Sequence, residues 1–160
     1  MTVSRFALSV LVAITSLGSL WSDQSPSAEL EFAKGDRIAI IGNTLADRMQ
    51  HHGWLETMIQ SRFPEHELSF RNLGFAGDEI TTRPRSANFG SPDQWLTKVE
   101  ADVVFCFFGY NEALRGPDAL DGFEKSLAGM LHGMLAQKYN GESAPKIVVF
   151  SPIAHKDLNS

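Results

Sequence analysis

The pattern of apolar and polar positions from residue 35 onward switches repeatedly between two periods. Arg37-Ile38-Ala39-Ile40-Ile41 is a short apolar run that stops at Gly42-Asn43-Thr44, which predicts a first strand passing into a loop. Trp54, Leu55, Met58, Ile59 and Phe63 then recur at helical spacing, so Gly53 to Phe63 is predicted to be an amphipathic helix lying on the sheet and closed by Pro64. Glu67 to Leu73 alternates enough for a second strand and breaks at Gly74-Phe75-Ala76-Gly77-Asp78. Ser91-Pro92-Asp93 supplies an N-cap, a first-turn proline and a first-turn carboxylate in succession, opening a short helix whose inward face is Trp95, Leu96 and Val99. The run Val103-Val104-Phe105-Cys106-Phe107-Phe108 is too short and too rich in β-branched and aromatic residues for a helix, and predicts a strand buried on both faces. Gly116-Pro117-Asp118 begins a long helix with one apolar stripe of Leu120, Phe123, Leu127, Met130, Leu131, Met134 and Leu135, and Lys146 to Phe150 is a fourth strand.

Strands alternating with helices imply right-handed crossovers, hence an α/β fold: a three-layer, doubly wound parallel sheet of the flavodoxin-like kind. A sheet of this type is expected to gain a further strand and helix after Pro152. The pattern therefore reads as C-terminally incomplete, with the fourth strand left as a hydrophobic edge. At the other end, Arg5 is followed by an uncharged apolar run from Phe6 to Leu20, which has the form of a secretory signal peptide or an N-terminal anchor. Residues 1–20 are thus expected to export the chain, 21–34 to form a polar leader, and 35–160 to make one domain, giving an extracytoplasmic location.

Composition narrows the functions. The 160 residues, 43% hydrophobic and 21% charged, suffice for one core and leave no room for a second domain. A formal net charge of −5 and the lack of any Lys/Arg run argue against a nucleic-acid partner. Cys106 is the single cysteine and sits inside a predicted core strand, so it forms no intramolecular disulfide or thiolate metal site and reads as an inert core thiol. No histidine has a metal-ligand partner at useful spacing, and neither metal nor cofactor is expected.

Three loops follow parallel strands at the same end of the sheet, where ligands bind in open α/β folds: Gly42-Asn43-Thr44, Gly74 to Asp78, and Gly109-Tyr110-Asn111-Glu112. The glycines allow close approach to the backbone, and Asn111 carries an amide able to donate to a developing oxyanion. Gly and Asn are also common in plain strand-to-loop turns.

The order and content of these blocks resemble the SGNH, or GDSL-type, hydrolase superfamily of esterases and acetylesterases. That family has Gly-Asp-Ser after the first strand, an Asn-x-Gly-x-x-Gly-Asp loop and a Gly-x-Asn-Asp loop. Here the counterparts are Gly42-Asn43-Thr44, Asn72-Leu73-Gly74-Phe75-Ala76-Gly77-Asp78 and Gly109-Tyr110-Asn111-Glu112, spread over about Gly35 to Pro152. The resemblance implies a Ser-His-Asp ester hydrolase acting on a small-molecule or carbohydrate ester. By it, the oxyanion hole would consist of the Gly77 N–H, the Asn111 side chain and the amide of the nucleophile position, Thr44. Asn43, Asp78, Tyr110 and Glu112 would line the substrate.

Two departures stand out. Thr44 occupies the nucleophile position, with Asn43 in place of aspartate; its methyl stiffens χ1 and crowds attack, and an internal threonine lacks the N-terminal amine that activates threonine nucleophiles. Thr44 therefore reads either as the nucleophile or as a loop hydroxyl satisfying a backbone group. The family's Asp-x-x-His block, source of base and orienting carboxylate, has no counterpart: His155 and Asp157 follow the fourth strand at the wrong spacing, and His155 reads as a loop residue. His51 and His52 read as solvated, His66 as a turn residue and His132 as a helix-face residue. Two other functions compete with the hydrolase. One is a catalytically inactive module that holds a carbohydrate or acyl ligand in the same crevice. The other is a flavodoxin-like FMN carrier, disfavoured because Ile40 and Ile41 stand where phosphate-binding hydroxyls are needed.

Overall fold

The computed structural model describes residues 29–153. In chain order the elements are β1 (Arg37–Gly42), α1 (Thr44–Met49), α2 (Trp54–Arg62), β2 (Ser69–Asn72), α3 (Pro92–Lys98), β3 (Val103–Phe107), α4 (Tyr110–Ala113), α5 (Leu120–Leu135) and β4 (Lys146–Val149). Single 3-10 turns at Pro64–His66 and Pro117–Ala119 precede β2 and α5. The sheet is fully parallel, with strand order β2-β1-β3-β4. The expected three-layer, doubly wound architecture is what the chain forms, and among the described residues β2 and β4 are the two edge strands.

Alternation along the two central strands builds both cores. Ala39, Ile41, Val104 and Cys106 face one side with Leu96 of α3 and Met134 of α5, while Ile38, Ile40, Val103, Phe105 and Phe107 face the other with Ala46 of α1. Leu45, Met49, Leu55, Ile59 and Phe63 from α1, α2 and the turn after α2 pack onto this second face. Each such fully buried aliphatic side chain is worth about 1.5–3 kcal/mol relative to exposure, which is why β1 and β3 are the interior strands. Their amino ends are joined by polar groups: Asp102 accepts from the Arg37 backbone N–H at 2.8 Å and from its Nε at 2.9 Å.

Several expectations need correction. Gly42-Asn43-Thr44 is not a loop: Gly42 ends β1 and α1 begins at Thr44, a helix that the apolar pattern did not signal because it is one and a half turns long. In α2 only part of the predicted apolar face is inward. Leu55 and Ile59 reach the core, whereas Trp54 is 73% and Met58 61% exposed, since four apolar positions spread over too wide an arc for one face of a nine-residue helix. Likewise the stripe of α5 is used at Met130 and Met134, while Leu120 and Leu135 at its ends are exposed. The second strand is shorter than predicted, because Glu67 takes a left-handed conformation (φ 52°) that belongs to a turn. Ser91 caps α3 as predicted, and Gln94 completes a capping box by accepting from the Ser91 N–H at 2.8 Å. The predicted export segment, 1–20, and His155 with Asp157 lie outside the described residues.

Candidate functional site

The site forms where the carboxyl ends of β1 and β3 meet, and glycine makes the junction possible. A Cβ on Gly42 (φ 142°) would sit 2.2 Å from the Phe107 carbonyl oxygen, and one on Gly74 would sit 2.6 Å from the Ala46 Cβ. Both positions therefore admit no side chain, and the three loops close to backbone contact. Asn72 then stitches two of them together: its Nδ2 donates to the Ala46 carbonyl at 2.6 Å, and its Oδ1 accepts from the Gly74 N–H at 2.9 Å.

Thr44 and Asn111 converge on one atom. The Thr44 Oγ1 donates to the Ala76 carbonyl at 3.0 Å, and the Asn111 Nδ2 donates to the same carbonyl at 3.2 Å and to that of Asp78, also at 3.2 Å. Both amide hydrogens of Asn111 are thus engaged by the loop. Gly77 is exposed on the same turn, with its backbone N–H unbonded among the described residues. Asn43 lies beneath, 2% exposed; it precedes α1 without capping it, and its Nδ2 has no hydrogen-bond partner among the described residues.

The two acidic residues expected to touch substrate are spent on structure. Glu112 is 7% exposed and clamps two loops, its Oε2 accepting from the Gly109 N–H and its Oε1 from the Ile80 N–H, each at 3.0 Å. Asp78 is wholly buried and held bidentately by Arg85, with Nη1–Oδ1 at 2.6 Å and Nη2–Oδ2 at 2.9 Å, and more loosely by Arg83 at 3.5 Å. Neither reaches the crevice, because a buried carboxylate is stable only when its oxygens are satisfied. Tyr110, by contrast, is 41% exposed and lines the cleft.

That cleft has a volume of about 410 Å³ and is bounded by Thr44, Leu45, Phe107, Tyr110, Phe150 and Pro152. It is mainly apolar, with Phe107 and Phe150 stacked at 4.2 Å in its wall and Arg48 at its edge. A smaller cavity of about 240 Å³ opens on the other side of the Gly74–Gly77 loop, between Phe75, Arg83, Arg85, Phe89 and Trp95. None of these second-cavity residues other than Phe75 was marked by a motif. The signal was present in Arg83-Pro84-Arg85, two cations shortly after the loop aspartate. Burial holds the Arg83 guanidinium below its ordinary value, with Asp78 opposing that effect.

None of His51, His52, His66 and His132 borders either cavity. His66 stacks edge-on against Phe63, 5.2 Å between ring centres, on the far end of the sheet from the crevice loops. Among the described residues no group of three His, Cys, Asp or Glu side chains is arranged to hold a metal ion, and no helix is long and apolar enough to cross a membrane. As arranged, the described residues offer a hydroxyl and a backbone N–H at one crevice, next to an apolar recess.

No protein-family model and no curated protein sequence matches the chain. Solved structures do share its fold. A catalytic mutant of Axe2, an acetylxylan esterase from Geobacillus stearothermophilus, superposes with a TM-score of 0.57 at 16% identity, over 77% of this chain and 62% of that one. A gut microbial diltiazem-metabolizing enzyme gives 0.52 at 19% identity, over 74% and 27%, and LAE5, an α/β hydrolase from the metagenome of Lake Arreo, Spain, gives 0.50 at 18%, over 74% and 61%. The likeness is one of fold. The chain spans about six-tenths or less of the length of each.

Proposed function

We propose that this chain carries the nucleophile and oxyanion loops of an SGNH-type hydrolase that cleaves carboxylic esters, including acetyl esters of carbohydrates, outside the cytoplasm. The observation that carries this reading is the convergence of Thr44 and Asn111 on the Ala76 carbonyl beside the Gly77 N–H, which has no partner among the described residues. An ester carbonyl carbon placed against the Thr44 Oγ1 would find Gly77 within the same turn as an oxyanion donor, and a released Asn111 hydrogen as a second. Attack needs a base to take the hydroxyl proton, and no histidine among the described residues is placed to do so. The Thr44 bond to Ala76 is then the resting arrangement, broken as the base engages; apo sites commonly hold such looser geometry. Likeness of fold to an acetylxylan esterase supports the substrate class. The apolar run after Arg5 supports export.

The test is hydrolysis of an aryl acetate by the full 160-residue chain. Turnover above buffer that Thr44→Ala abolishes supports the reading; turnover unchanged in Thr44→Ala overturns the nucleophile.

A second reading has its own observation. The Thr44 hydroxyl and both Asn111 amide hydrogens are already committed to backbone carbonyls, which suits a catalytically inactive module that holds a carbohydrate or acyl group in the crevice. Ligand binding without any hydrolysis selects it.

A further inference from the structure

The cavity beyond the Gly74–Gly77 loop is built from charges that no part of the ester chemistry uses. Its lining includes Arg83 and Arg85 and no carboxylate. Asp78, buried behind them, neutralises only one of the two guanidiniums, so the cavity wall keeps one positive charge. That surplus is partly desolvated: both arginine side chains are only 18% exposed. A guanidinium so placed is costly unless an anion joins it.

The donors for such an anion remain unspent. Arg85 gives Asp78 one hydrogen from each Nη, and its second Nη1 hydrogen goes to the Pro84 carbonyl at 3.1 Å. Its Nε–H and one Nη2–H, the adjacent pair on the side of the guanidinium, have no partner among the described residues. Arg83 gives Nε–H to the Glu79 carbonyl at 2.9 Å and makes only long contacts through its two Nη atoms, 3.5 Å to Asp78 and 4.0 Å to the Met130 sulfur. Rings fix these cations in place. Arg85 lies 4.2 Å over Phe75 and 5.5 Å from Phe89, Arg83 lies 4.8 Å over Phe108, and Phe89 is tilted against Trp95 with ring centres 5.1 Å apart. These ring faces hold both guanidiniums in place without consuming their hydrogens.

We propose that this cavity is a carboxylate subsite, taking the acid group of a uronate sugar next to the esterified unit of an acidic glycan. The single surplus charge matches a carboxylate better than a phosphate, which carries about two charges near neutral pH. A side-on guanidinium pair matches it in geometry. At about 240 Å³ the cavity falls below the roughly 300–1,000 Å³ of clefts for larger ligands and accepts one substituted ring. Phe75 and Phe89, 46% and 44% exposed, supply apolar ring edge at its rim. Only the Gly74–Gly77 loop separates this cavity from Thr44, whose hydroxyl bonds that loop at Ala76. The adjacency to an esterified unit rests on the hydrolase reading; the carboxylate site does not.

The test measures binding and not turnover, so it is independent of hydrolysis. Tri-galacturonate is titrated into the full chain by calorimetry at low and high salt, beside neutral xylotriose and benzoate. Binding of tri-galacturonate that weakens with salt, at least about tenfold tighter than xylotriose, is the expected result. Arg83→Gln, which leaves the Asp78–Arg85 pair intact, should weaken that binding about tenfold or more while the variant still unfolds in one cooperative transition. Equal affinity for xylotriose, no binding of tri-galacturonate, or full affinity in Arg83→Gln overturns the proposal. Benzoate binding as tightly as tri-galacturonate overturns the sugar part of it. Uronate binding with no esterase activity supports the subsite and removes the hydrolase reading alone.

Discussion

Thr44 and Asn111 donate to the same acceptor, the carbonyl of Ala76, at 3.0 and 3.2 Å. The first turns of α1 and α4 are thereby coupled through the Gly74–Asp78 loop. Asn111→Ala should lower unfolding free energy by about 1–3 kcal/mol, because it removes a donor from the Asp78 carbonyl and one of two from the Ala76 carbonyl, and Thr44→Ala by about 0.5–1.5 kcal/mol. Residues sharing a partner are not additive, and the double variant should depart from the sum by about 0.5 kcal/mol or more. Urea unfolding of the four proteins measures this directly.

The buried pair Asp78–Arg85 should be the most sensitive polar contact near the site. Arg85→Ala leaves the Asp78 carboxylate fully buried with Arg83 alone at 3.5 Å, and should cost about 3–5 kcal/mol. Asp78→Asn with Arg85 retained should also lower the melting temperature, since it leaves two cations and no anion. A thermal melt unchanged in both variants would show that the pair is not load on the fold.

Asp102 should set part of the acid limb of stability. Burial pushes its carboxyl upward, but bonds from Arg37 and Asn140 outweigh that and hold it below the ordinary 3.8. A carboxylate depressed in the folded state stabilises above its unfolded value and loses that contribution as pH falls through the lower folded value. Asp102→Asn should therefore be less stable near neutral pH and should show a shallower loss of stability below pH 3.8. Melting temperature against pH for both proteins reads out the difference.

Cys106 should resist thiol reagents until the chain unfolds. Burial pushes its thiol up to about 12, with Arg83 acting in the opposite sense, and the residue is fully enclosed in β3. At about pH 8, where an exposed thiol reacts readily, a chromogenic disulfide should titrate no thiol in buffer and one in denaturant. Fast labelling of the native protein would mean that β3 opens locally.

The glycine junction should admit no substitution. Gly42→Ala puts a methyl 2.2 Å from the Phe107 carbonyl oxygen in a left-handed backbone, and should cost about 4 kcal/mol or more or prevent folding. Gly116→Ala, also left-handed but with no atom within 4 Å of the added carbon, should be clearly milder. Comparing soluble yield and unfolding midpoint separates steric from torsional cost.

The strands were legible in the sequence because the pattern is redundant there. β1 and β3 are buried on both faces, so nearly every residue is apolar, and their short length settles strand over helix. The capped start of α3 was legible for a local reason, since Ser91-Pro92-Asp93 needs no tertiary information. What escaped were α1 and α4, six and four residues long, whose helicity comes from the loops folding onto them and not from any periodic stripe. In the site, motif positions were found but not their loyalties. Asp78 and Glu112 looked like ligands to substrate, and only three-dimensional neighbours, Arg85 in one case and the Gly109 and Ile80 amides in the other, turn them inward. The arginine cavity escaped for the converse reason: its charge surplus is a count over residues that meet only in space.

The pairing of β1 has a consequence for how the molecule comes into being. Its near neighbour β2 lies only about thirty residues ahead, Arg37 opposite Ser69, but its other edge waits for β3, with Ile38 opposite Val103 and Gly42 opposite Phe107. Closing the longer loop must precede the reward of the central pairing, and contacts of such sequence separation slow folding. Until residue 107 is available, a β1–β2 pair would have its other edge, Ile38 to Gly42, without a partner. An apolar strand edge left open in that way is prone to pair with other chains, so refolding yield should fall as protein concentration rises.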